Sequence, residues 1–439
     1  MATGLQPSKQ PTYLSLESAI AQAQNNDDWL QKSRLMESRF ESLSEGASAL
    51  PDPTISIGLL NLPTNGFAFD QEPMTQLKLS ASQMFPRGDS LALKQQRHKK
   101  LASEQPYLRE NRRQQIALQT STLWLRAFEA SANYKLVSDT KPLFDKLGNI
   151  VAASYASSAG KAKQQDIIRS ELELVRLNDK LIDLGTQRQV AVAKLSQFLY
   201  KADASATSNY YLQSDMKSIQ FPERIPELTP HQKQRLQTIA STSPYEFNQL
   251  VNQHPLIMAN DQRVRTSLVD IDIAKQAYKP QYGMTASYAM RDDTPQGQSR
   301  ADFFSVGVSM NLPLFSSSAK DAQVSAAKLQ TEAIRTEKLL LVKELMASLQ
   351  STFAEYAGLS ERAQVYEQQI LPKIQQQAQV ALNAYTNDTG DFAEVVRAKI
   401  DELDTHITML NINVKKRMAL AKIDYYLVST VQTEDAEHE

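Results

Sequence analysis

The sequence of this 439-residue chain contains one pattern twice. In each half of the sequence, one proline precedes a stretch in which apolar and polar residues alternate. A second proline follows the next stretch of this kind. The first pair is Pro53 with Pro280, and the second is Pro86 with Pro313; the two offsets are identical (280 − 53 = 227 and 313 − 86 = 227). Two later matches keep nearly the same offset: Tyr155 with Tyr385 (385 − 155 = 230) and Asp166 with Glu394 (394 − 166 = 228). Repetition over this length predicts a tandem duplication, so the fold must be built from two copies of one unit.

Each copy is predicted to form a helix, two strands and two long helices joined by a turn. The predicted strands are residues 54–62, 76–85, 281–290 and 304–312, where apolar residues alternate with polar or small ones. This period of two places the apolar residues on one face of a sheet. Runs of about ten residues also match a tilted membrane strand of ~9–11 residues. Two soluble hairpins would show the same alternation.

The predicted helices are long, and their apolar residues follow heptads. They cover residues 90–153, interrupted by Pro106 and Pro142, and residues 164–200, 318–383 and 392–428. With only 13 glycines in the chain, few positions weaken a helix. The last helix has one a/d seam, consisting of Val396, Ile400, Leu403, Ile407, Leu410 and Val414. The helix at 164–200 has two seams: Ile168, Leu172, Val175 and Ile182, and Leu174, Leu177, Leu181 and Leu184. Two seams predict two helical neighbours.

The composition excludes several classes of protein. The formal net charge is −1, so no overall field favours nucleic acid, and nucleic acid is not expected as a partner. The absence of cysteine excludes disulfides and thiolate metal sites. No metal-binding spacing is found among the five histidines, which are His98, His231, His254, His406 and His438. No catalytic constellation is recognisable either. We therefore expect no metal site, no cofactor and no enzymatic activity.

The predicted organisation has four parts. Repeat 1 covers residues 14–200 with its tip near 155–160, and repeat 2 covers 246–429 with its tip near 385–390. Residues 201–245, rich in Ser, Thr, Ala and Pro, form a linker expected to pack outside the helices, and 430–439 form an acidic tail. The N terminus lacks a basic and apolar leader, and we expect a signal peptide to have been removed.

If the strands enter a membrane, one chain is not sufficient. Four strands cannot close a barrel, and an open sheet edge cannot face lipid. Three chains would supply twelve strands, so the membrane interpretation predicts a trimer.

This order of elements, two strand–strand–helical-hairpin repeats over residues 14–429, resembles the TolC outer-membrane factors. The resemblance implies a mainly α chain with a β-barrel portion: a homotrimer with a twelve-stranded barrel in outer-membrane lipid and an α-helical barrel that crosses the periplasm. It also implies two partners, a periplasmic adaptor (membrane fusion protein) and an inner-membrane RND-type pump. Within this family, the first hairpin is most similar to the CzcC-like branch, which exports heavy-metal cations. The similarity lies in residues 52–58, 61–63, 70–75 and 82–88.

The candidate site lies at the two predicted helical tips. Tyr155, Gly160, Tyr385 and Gly390 bound these turns, and glycine there permits a left-handed backbone. By resemblance, the tips contact the adaptor. Beyond them lie the pairs Asp166 with Arg169 and Glu394 with Arg397, each three residues apart on a helix. Such pairs form ordinary surface ion pairs worth ~0.3–0.5 kcal/mol, but in a trimer they would form rings. The resemblance places Glu394 at a periplasmic entrance gate, to which Asp388 and Asp391 add carboxylates.

Two other functions remain open on the sequence alone. A soluble coiled-coil scaffold would also contain long heptad helices, but it has no reason to keep four alternating strands. A periplasmic adaptor contains a helical hairpin, but it would show one hairpin rather than two tandem copies.

Overall fold

The computed structural model describes residues 13–157, 162–200, 219–228, 232, 236, 244–387 and 389–428. The helices are α1 (Leu16–Asn25), α2 (Asp28–Gly46), α3 (Ser90–Ala156), α4 (Gln164–Leu199), α5 (Pro244–Asn252), α6 (Pro255–Lys275), α7 (Ser317–Val365), α8 (Leu371–Thr386) and α9 (Phe392–Tyr426). The strands are β1 (Thr54–Leu60), β2 (Gln76–Phe85), β3 (Gln281–Met290) and β4 (Phe303–Asn311). The predicted strands and long helices are therefore present within a few residues of their predicted bounds.

The starts of the elements repeat with the spacing found in the sequence. The first residues of β1 and β3 differ in number by 281 − 54 = 227, and those of β2 and β4 by 303 − 76 = 227. The first residues of α3 and α7 differ by 317 − 90 = 227, and those of α4 and α9 by 392 − 164 = 228. Each repeat therefore supplies two strands and one long helical hairpin.

The chain divides into two compact units that do not follow the repeats. The helical unit contains Met1–Gln31, Arg109–Pro255 and Val342–Glu439, and the sheet unit contains Lys32–Leu108 and Leu256–Leu341. Each unit takes parts of both repeats because the strands of one repeat pair with those of the other. The repeat boundaries therefore do not coincide with the boundaries of the packing units.

The sheet has four antiparallel strands in the order β1-β2-β3-β4. The central pairing joins the two repeats, with Ala81 of β2 opposite Ala286 of β3. The outer pairings place Ile55 opposite Ala81 and Ala286 opposite Val306. Because neighbouring residues on a strand point to opposite faces, this register gathers most of the large apolar residues of all four strands on one face.

That apolar face of the sheet is exposed. Ile57 on β1 and Val308 on β4 are each 72% exposed, and most of the other large apolar side chains of this face are at least a third exposed. They include Ile55, Leu59, Leu77, Leu79, Tyr282, Met284, Tyr288, Met290, Phe304, Val306 and Met310. The opposite face is mostly polar or small, with Leu60, Met84 and Phe303 as the large apolar exceptions. One row across all four strands consists of Ser56, Ser80, Ser287 and Ser305. The alternation predicted from the sequence is therefore present.

The connections between the strands are held together by arginine. Arg291 donates to the carbonyl oxygen of Pro73 at 3.4 Å, and its guanidinium lies 3.9 Å from the ring centre of Phe303. Arg300 donates to the carbonyl oxygen of Asp70 at 3.3 Å. These bonds join the β1–β2 connection to the β3–β4 connection at one end of the sheet.

The helical unit is built around two apolar clusters. The larger one combines α3, α4, α8 and α9 through residues such as Phe144, Leu184, Val395 and Leu403. The second contains Trp124 and Phe128 of α3, whose rings stack 5.6 Å apart, together with Leu195 of α4. The predicted seam of α9 contributes to both clusters. In the part of the chain that is described, no helix has both the length and the apolar character needed to cross a membrane.

The described part of the linker packs on α3. Phe221 contacts Trp124 edge-on at 5.6 Å, and Gln220 bridges to Tyr13 in parallel. The indole N–H of Trp124 donates to the carbonyl oxygen of Leu14 at 3.0 Å. One face of α3 is therefore covered by the chain segments that precede α1 and follow α4.

The prediction that proline interrupts the first long helix is wrong. The helix α3 is continuous through Pro106 and Pro142, whose side chains are both exposed. On an exposed helix face, water can bond the carbonyl oxygens that proline leaves unpaired, so the helix need not end there. In the second repeat, a π-helical turn (Tyr366–Ile370) precedes Pro372, and the N–H of Leu371 donates to the carbonyl oxygen of Tyr366.

Candidate functional site

The two helical tips belong to one apolar cluster. Val151 near the end of α3 and Ile167 at the start of α4 contribute the first tip. Tyr385 at the end of α8 and Phe392 at the start of α9 contribute the second, and their rings meet edge-on at 5.6 Å. The structure therefore brings together two turns that belong to different repeats and lie far apart in the sequence.

The second tip is organised around the carbonyl oxygen of Ala384. This atom accepts from the backbone N–H of Thr389 at 2.9 Å, from the hydroxyl of Thr389 at 3.1 Å and from the N–H of Gly390 at 3.0 Å. One oxygen thus satisfies three donors after the last turn of α8. Sequence reasoning did not identify Ala384, because a backbone acceptor has no sequence signature.

Gly390 is required here for a different reason from the predicted one. Its φ does not lie in the left-handed region, so that prediction is wrong. A Cβ at this position would lie 2.8 Å from the Cβ of Ala384 and 3.0 Å from the N of Tyr385. Glycine is needed because the chain passes too close to the end of α8 for any side chain.

The predicted gate residues of the second tip stand at the start of α9. Asp391 is the N-cap residue, and its carboxylate accepts from the N–H of Ala393 at 3.3 Å. Glu394 and Arg397 are exposed, and no ion pair joins them among the residues described. The surface ion pair considered from the sequence is therefore not formed, and both charges are open to solvent. Asp388 lies outside the described residues.

In the first tip the acid that corresponds to Glu394 is Asp166, and its surroundings are different. Asp166 is only 6% exposed, and its Oδ2 accepts from the backbone N–H of Lys163 at 2.9 Å. The N–H of Asp166 in turn donates to the carbonyl oxygen of Lys163, which closes the first turn of α4. Arg169 and Tyr155 are exposed, and Gly160 lies outside the described residues. Asp166 therefore caps a helix, whereas its repeat partner Glu394 faces solvent.

Among the described residues, one of the two seams of α4 is covered and the other is not. Leu177 and Leu184 are buried in the larger cluster, with Leu174 and Leu181 partly buried beside them. The other seam remains exposed along its length: Ile168, Leu172, Val175 and Ile182. This seam is therefore an apolar stripe on α4 that none of the described helices covers.

The described residues contain no group of three or more His, Asp and Glu side chains that could hold a metal ion. Among the described site residues, Arg169, Asp391, Glu394 and Arg397 have exposed charged side chains. The other described site residues are uncharged or, like Asp166, buried.

Comparison with known proteins gives matches at the level of family model and of fold. The model of the outer membrane efflux protein family matches residues 247–425, which lie in the second repeat. The outer-membrane channel OprN is 15% identical with a TM-score of 0.73, and the match covers 95% of this chain and 90% of that one. VceC, an outer membrane protein of Vibrio cholerae, is 12% identical with a TM-score of 0.74, covering 94% and 96%. CusC, described for its transmembrane channel formation, is 14% identical with a TM-score of 0.70, covering 98% and 99%.

The chain has the TolC-like fold of outer-membrane channels. Comparison with curated protein sequences gives no significant match. The TolC-like fold confirms the predicted fold class, a mainly α chain with paired strands and long helical hairpins. At these low identities the similarity establishes the fold, and the function must be argued from the residues of this chain.

Proposed function

We propose that this chain is one protomer of a homotrimeric duct in the outer membrane, a passive exit for an efflux system. The observation that carries this proposal is the exposed apolar face of the sheet. A soluble protein seldom exposes a contiguous apolar patch larger than a few hundred Å². Here one whole face of a four-stranded sheet is exposed and apolar, which fits contact with lipid.

The edges of the sheet support a trimer. Within the described part of the chain, β1 and β4 each have one neighbouring strand, so each leaves a row of backbone groups unpaired. Such groups cost several kcal/mol each in hydrocarbon, where no water can bond them. Pairing β4 of one protomer with β1 of the next satisfies both edges, and three copies of four strands give a closed cylinder of twelve.

In such a cylinder the polar face of the sheet lines the passage. The row formed by Ser56, Ser80, Ser287 and Ser305 would repeat three times around the wall as a ring of hydroxyls. These short side chains leave the passage wide and hydrated. The single charge on this face is Lys78 of β2, which lies between Gly58 and Ala289. The wall thus suits passive flow better than tight binding.

The exposed stripe of α4 supports the same assembly in the helical unit. Ile182 is 71% exposed and Val175 is 63% exposed, although both lie on a heptad seam. A seam of this kind is stabilised when a second helix covers it. We assign this stripe to a helix of the neighbouring protomer, which would continue the wall of helices around the trimer.

The tips are assigned to the entrance and to the docking of partners. We place Tyr155, Gly160, Tyr385 and Gly390 at the surface that meets a periplasmic adaptor, with an inner-membrane RND-type pump beyond it. Glu394 and Arg397, both exposed, would form rings at the entrance with Arg169, Asp388 and Asp391. Asp166 would act there by holding the first turn of α4, since its carboxylate is bound to the backbone of Lys163.

For the cargo we propose heavy-metal cations, on the strength of the first hairpin alone, whose residues 52–58 and 82–88 are most similar to the CzcC-like branch. A passive duct needs no metal site of its own, because selection belongs to the pump. The alternative function, a soluble coiled-coil scaffold, would explain the stripe of α4 but not the apolar face of the sheet.

Conductance tests the proposal directly. The purified full-length chain is reconstituted in planar bilayers, and single-channel conductance is compared between the wild type and Glu394→Gln. Loss of the carboxylate ring should weaken contacts across the entrance and raise the open fraction. Glu361→Gln, which changes an exposed acid in α7, should leave conductance unchanged. A wild-type chain that forms no channels would contradict the duct, and an unchanged Glu394 variant would contradict the gate.

A further inference from the structure

A cavity of about 480 Å³ lies among α3, α4 and α9 of the helical unit. Its apolar wall includes Leu184, Val190 and Ile407. Arg126 and Asn133 also line it, with four further polar residues: Glu129, Gln187, Lys194 and Asn411. A small-molecule site is usually a cavity of roughly 300–1,000 Å³ with convergent polar groups. This cavity lies within that range, and half of its lining residues are polar. The charged and amide residues of this lining belong neither to the tip turns nor to the sheet.

The cavity opens on the side of α3 that faces away from the linker. Trp124 and Phe128 point towards the segments that contain Leu14 and Phe221. At 100° per residue, Arg126 is turned about 200° from Trp124, and Asn133 is turned about 140° from Phe128. If the linker packs on the outside of the duct, the cavity faces the passage.

A buried amide, that of Asn133, lies in the wall of this cavity. Asn133 is only 5% exposed; its Nδ2 donates to Oδ1 of Asn411 at 2.8 Å, and its Oδ1 has no partner among the described residues. If the side-chain amide of Asn411 is turned, its nitrogen donates to Oε1 of Glu129 at 3.1 Å and lies 2.8 Å from Nδ2 of Asn133. Two donors cannot bond each other, so the amide of Asn133 must then turn as well. In the first arrangement the Oδ1 of Asn133 remains unsatisfied. Buried polar groups nearly always have a partner, so in that arrangement this atom is open to a hydrogen-bond donor of a ligand.

The charges around the cavity favour an anion. Arg126 and Lys194 line it, and Lys415 acts electrostatically on Glu129. Burial raises the pKa of Glu129, while Lys415 and Arg126 oppose that rise. Within the part of the chain that is described, no ion pair joins these groups. Two cations therefore line the cavity against one carboxylate, and the excess positive charge is available to a ligand.

We propose that this cavity is a binding site for a small amphiphilic organic anion. Its carboxylate or sulfonate would lie between Arg126 and Lys194, and its apolar body would rest on Leu184 and Val190. A hydrogen-bonding group on that body would reach Asn133. The site rests on the proposed function only for its place in the passage, and it extends the range of cargo beyond metal cations, which the local positive charge disfavours.

The test compares two probes with the same ring and opposite charge, 1-naphthoate and 1-naphthylmethylammonium. Binding to the detergent-solubilised full-length chain is measured by equilibrium dialysis. We expect saturable binding of the anion at one site per chain and no saturable binding of the amine. Arg126→Gln with Lys194→Gln should weaken anion binding about tenfold or more, since hydrogen bonds to charged groups are the strong ones. Lys141→Gln with Lys146→Gln, which removes two charges from α3 away from the cavity, should leave it unchanged.

Equal binding of the two probes, or anion binding that the first double variant does not weaken, would overturn the site. Lys194→Gln alone, at an exposed position, provides the comparison if the double variant does not fold. Because dialysis does not depend on conduction, the two proposals fail separately. A chain that conducts but does not bind naphthoate contradicts only the site. A chain that binds naphthoate but forms no channels contradicts only the duct.

Discussion

The backbone N–H of Gly390 donates to the carbonyl oxygen of Ala384 at 3.0 Å, in a space where a Cβ on Gly390 would lie 2.8 Å from the Cβ of Ala384. The turn after α8 therefore depends on close approach of two backbone segments. This relationship fixes the position of Asp391 and hence the direction in which α9 begins.

Gly390→Ala should destabilise the second tip by ~1–3 kcal/mol, the usual cost of overpacking a close contact. Hydrogen exchange of the amides of Thr389 and Gly390 measures the effect, and we expect it to accelerate there first. Gly358→Ala is the matched control, since nothing lies within 4 Å of a Cβ at that helical position. That change should stabilise α7 by ~0.5–1 kcal/mol. Equal effects of the two substitutions would contradict the steric account of Gly390.

Asp166→Ala should destabilise the start of α4 by ~0.5–2 kcal/mol, because the N–H of Lys163 loses its acceptor. Asp166→Asn keeps a side-chain oxygen and should lose less. Thermal unfolding of both variants and of Asp179→Ala, an exposed acid further along α4, measures the difference. If Asp166 acted mainly by its charge at the entrance, the asparagine variant would change conductance as strongly as the alanine variant.

His254 should make stability depend on pH. Its Nε2–H donates to the carbonyl oxygen of Tyr425 at 3.2 Å, and burial lowers its pKa from 6.5 to about 4. The folded state favours the neutral ring of His254, so this ring contributes fully to the free energy of unfolding above pH 6.5. The contribution is lost as the pH falls towards 4. The loss is on the order of 3 kcal/mol for a shift of this size. The melting temperatures at pH 7 and pH 5 should differ less in His254→Gln than in the wild type. An equal difference in both proteins would contradict this account.

Val306→Lys and Ser305→Lys place the same charge on opposite faces of β4. On the lipid face a lysine costs ~2–4 kcal/mol near the middle of the bilayer, whereas a residue that faces the passage remains in water. We expect Val306→Lys to reduce the fraction of chain recovered in the outer membrane and Ser305→Lys to leave it near the wild-type level. Membrane fractionation with immunoblotting measures both. Equal recovery of the two variants would show that the apolar face does not contact lipid.

The strands were predictable because period-two alternation is local. The predicted bounds of β2 and β3 match the structure, and only the ends of β1 and β4 shift, by one or two residues. The seam of α9 was predictable for the same reason, since its spacing records burial directly. For α4, the sequence indicates two seams, and the structure shows which of them remains exposed.

The site was less predictable because its details are not local. The sequence shows acids at 166 and 394, but not that one caps a helix and the other faces solvent. The helix α3 continues through Pro106 because an exposed face tolerates proline, which depends on tertiary packing. Asn133 and Asn411 meet although they belong to different repeats, and nothing in either stretch of sequence announces the pair.

The protomer count of the detergent-extracted chain tests the central claim most directly. The chain is expressed behind a signal peptide, extracted from the outer membrane, and its protein mass is measured by light scattering with the detergent subtracted. A duct of three protomers predicts a mass near three times the 49.2 kDa of one chain. A monomer or dimer that stays soluble without detergent would contradict the duct, because its sheet edges could not close.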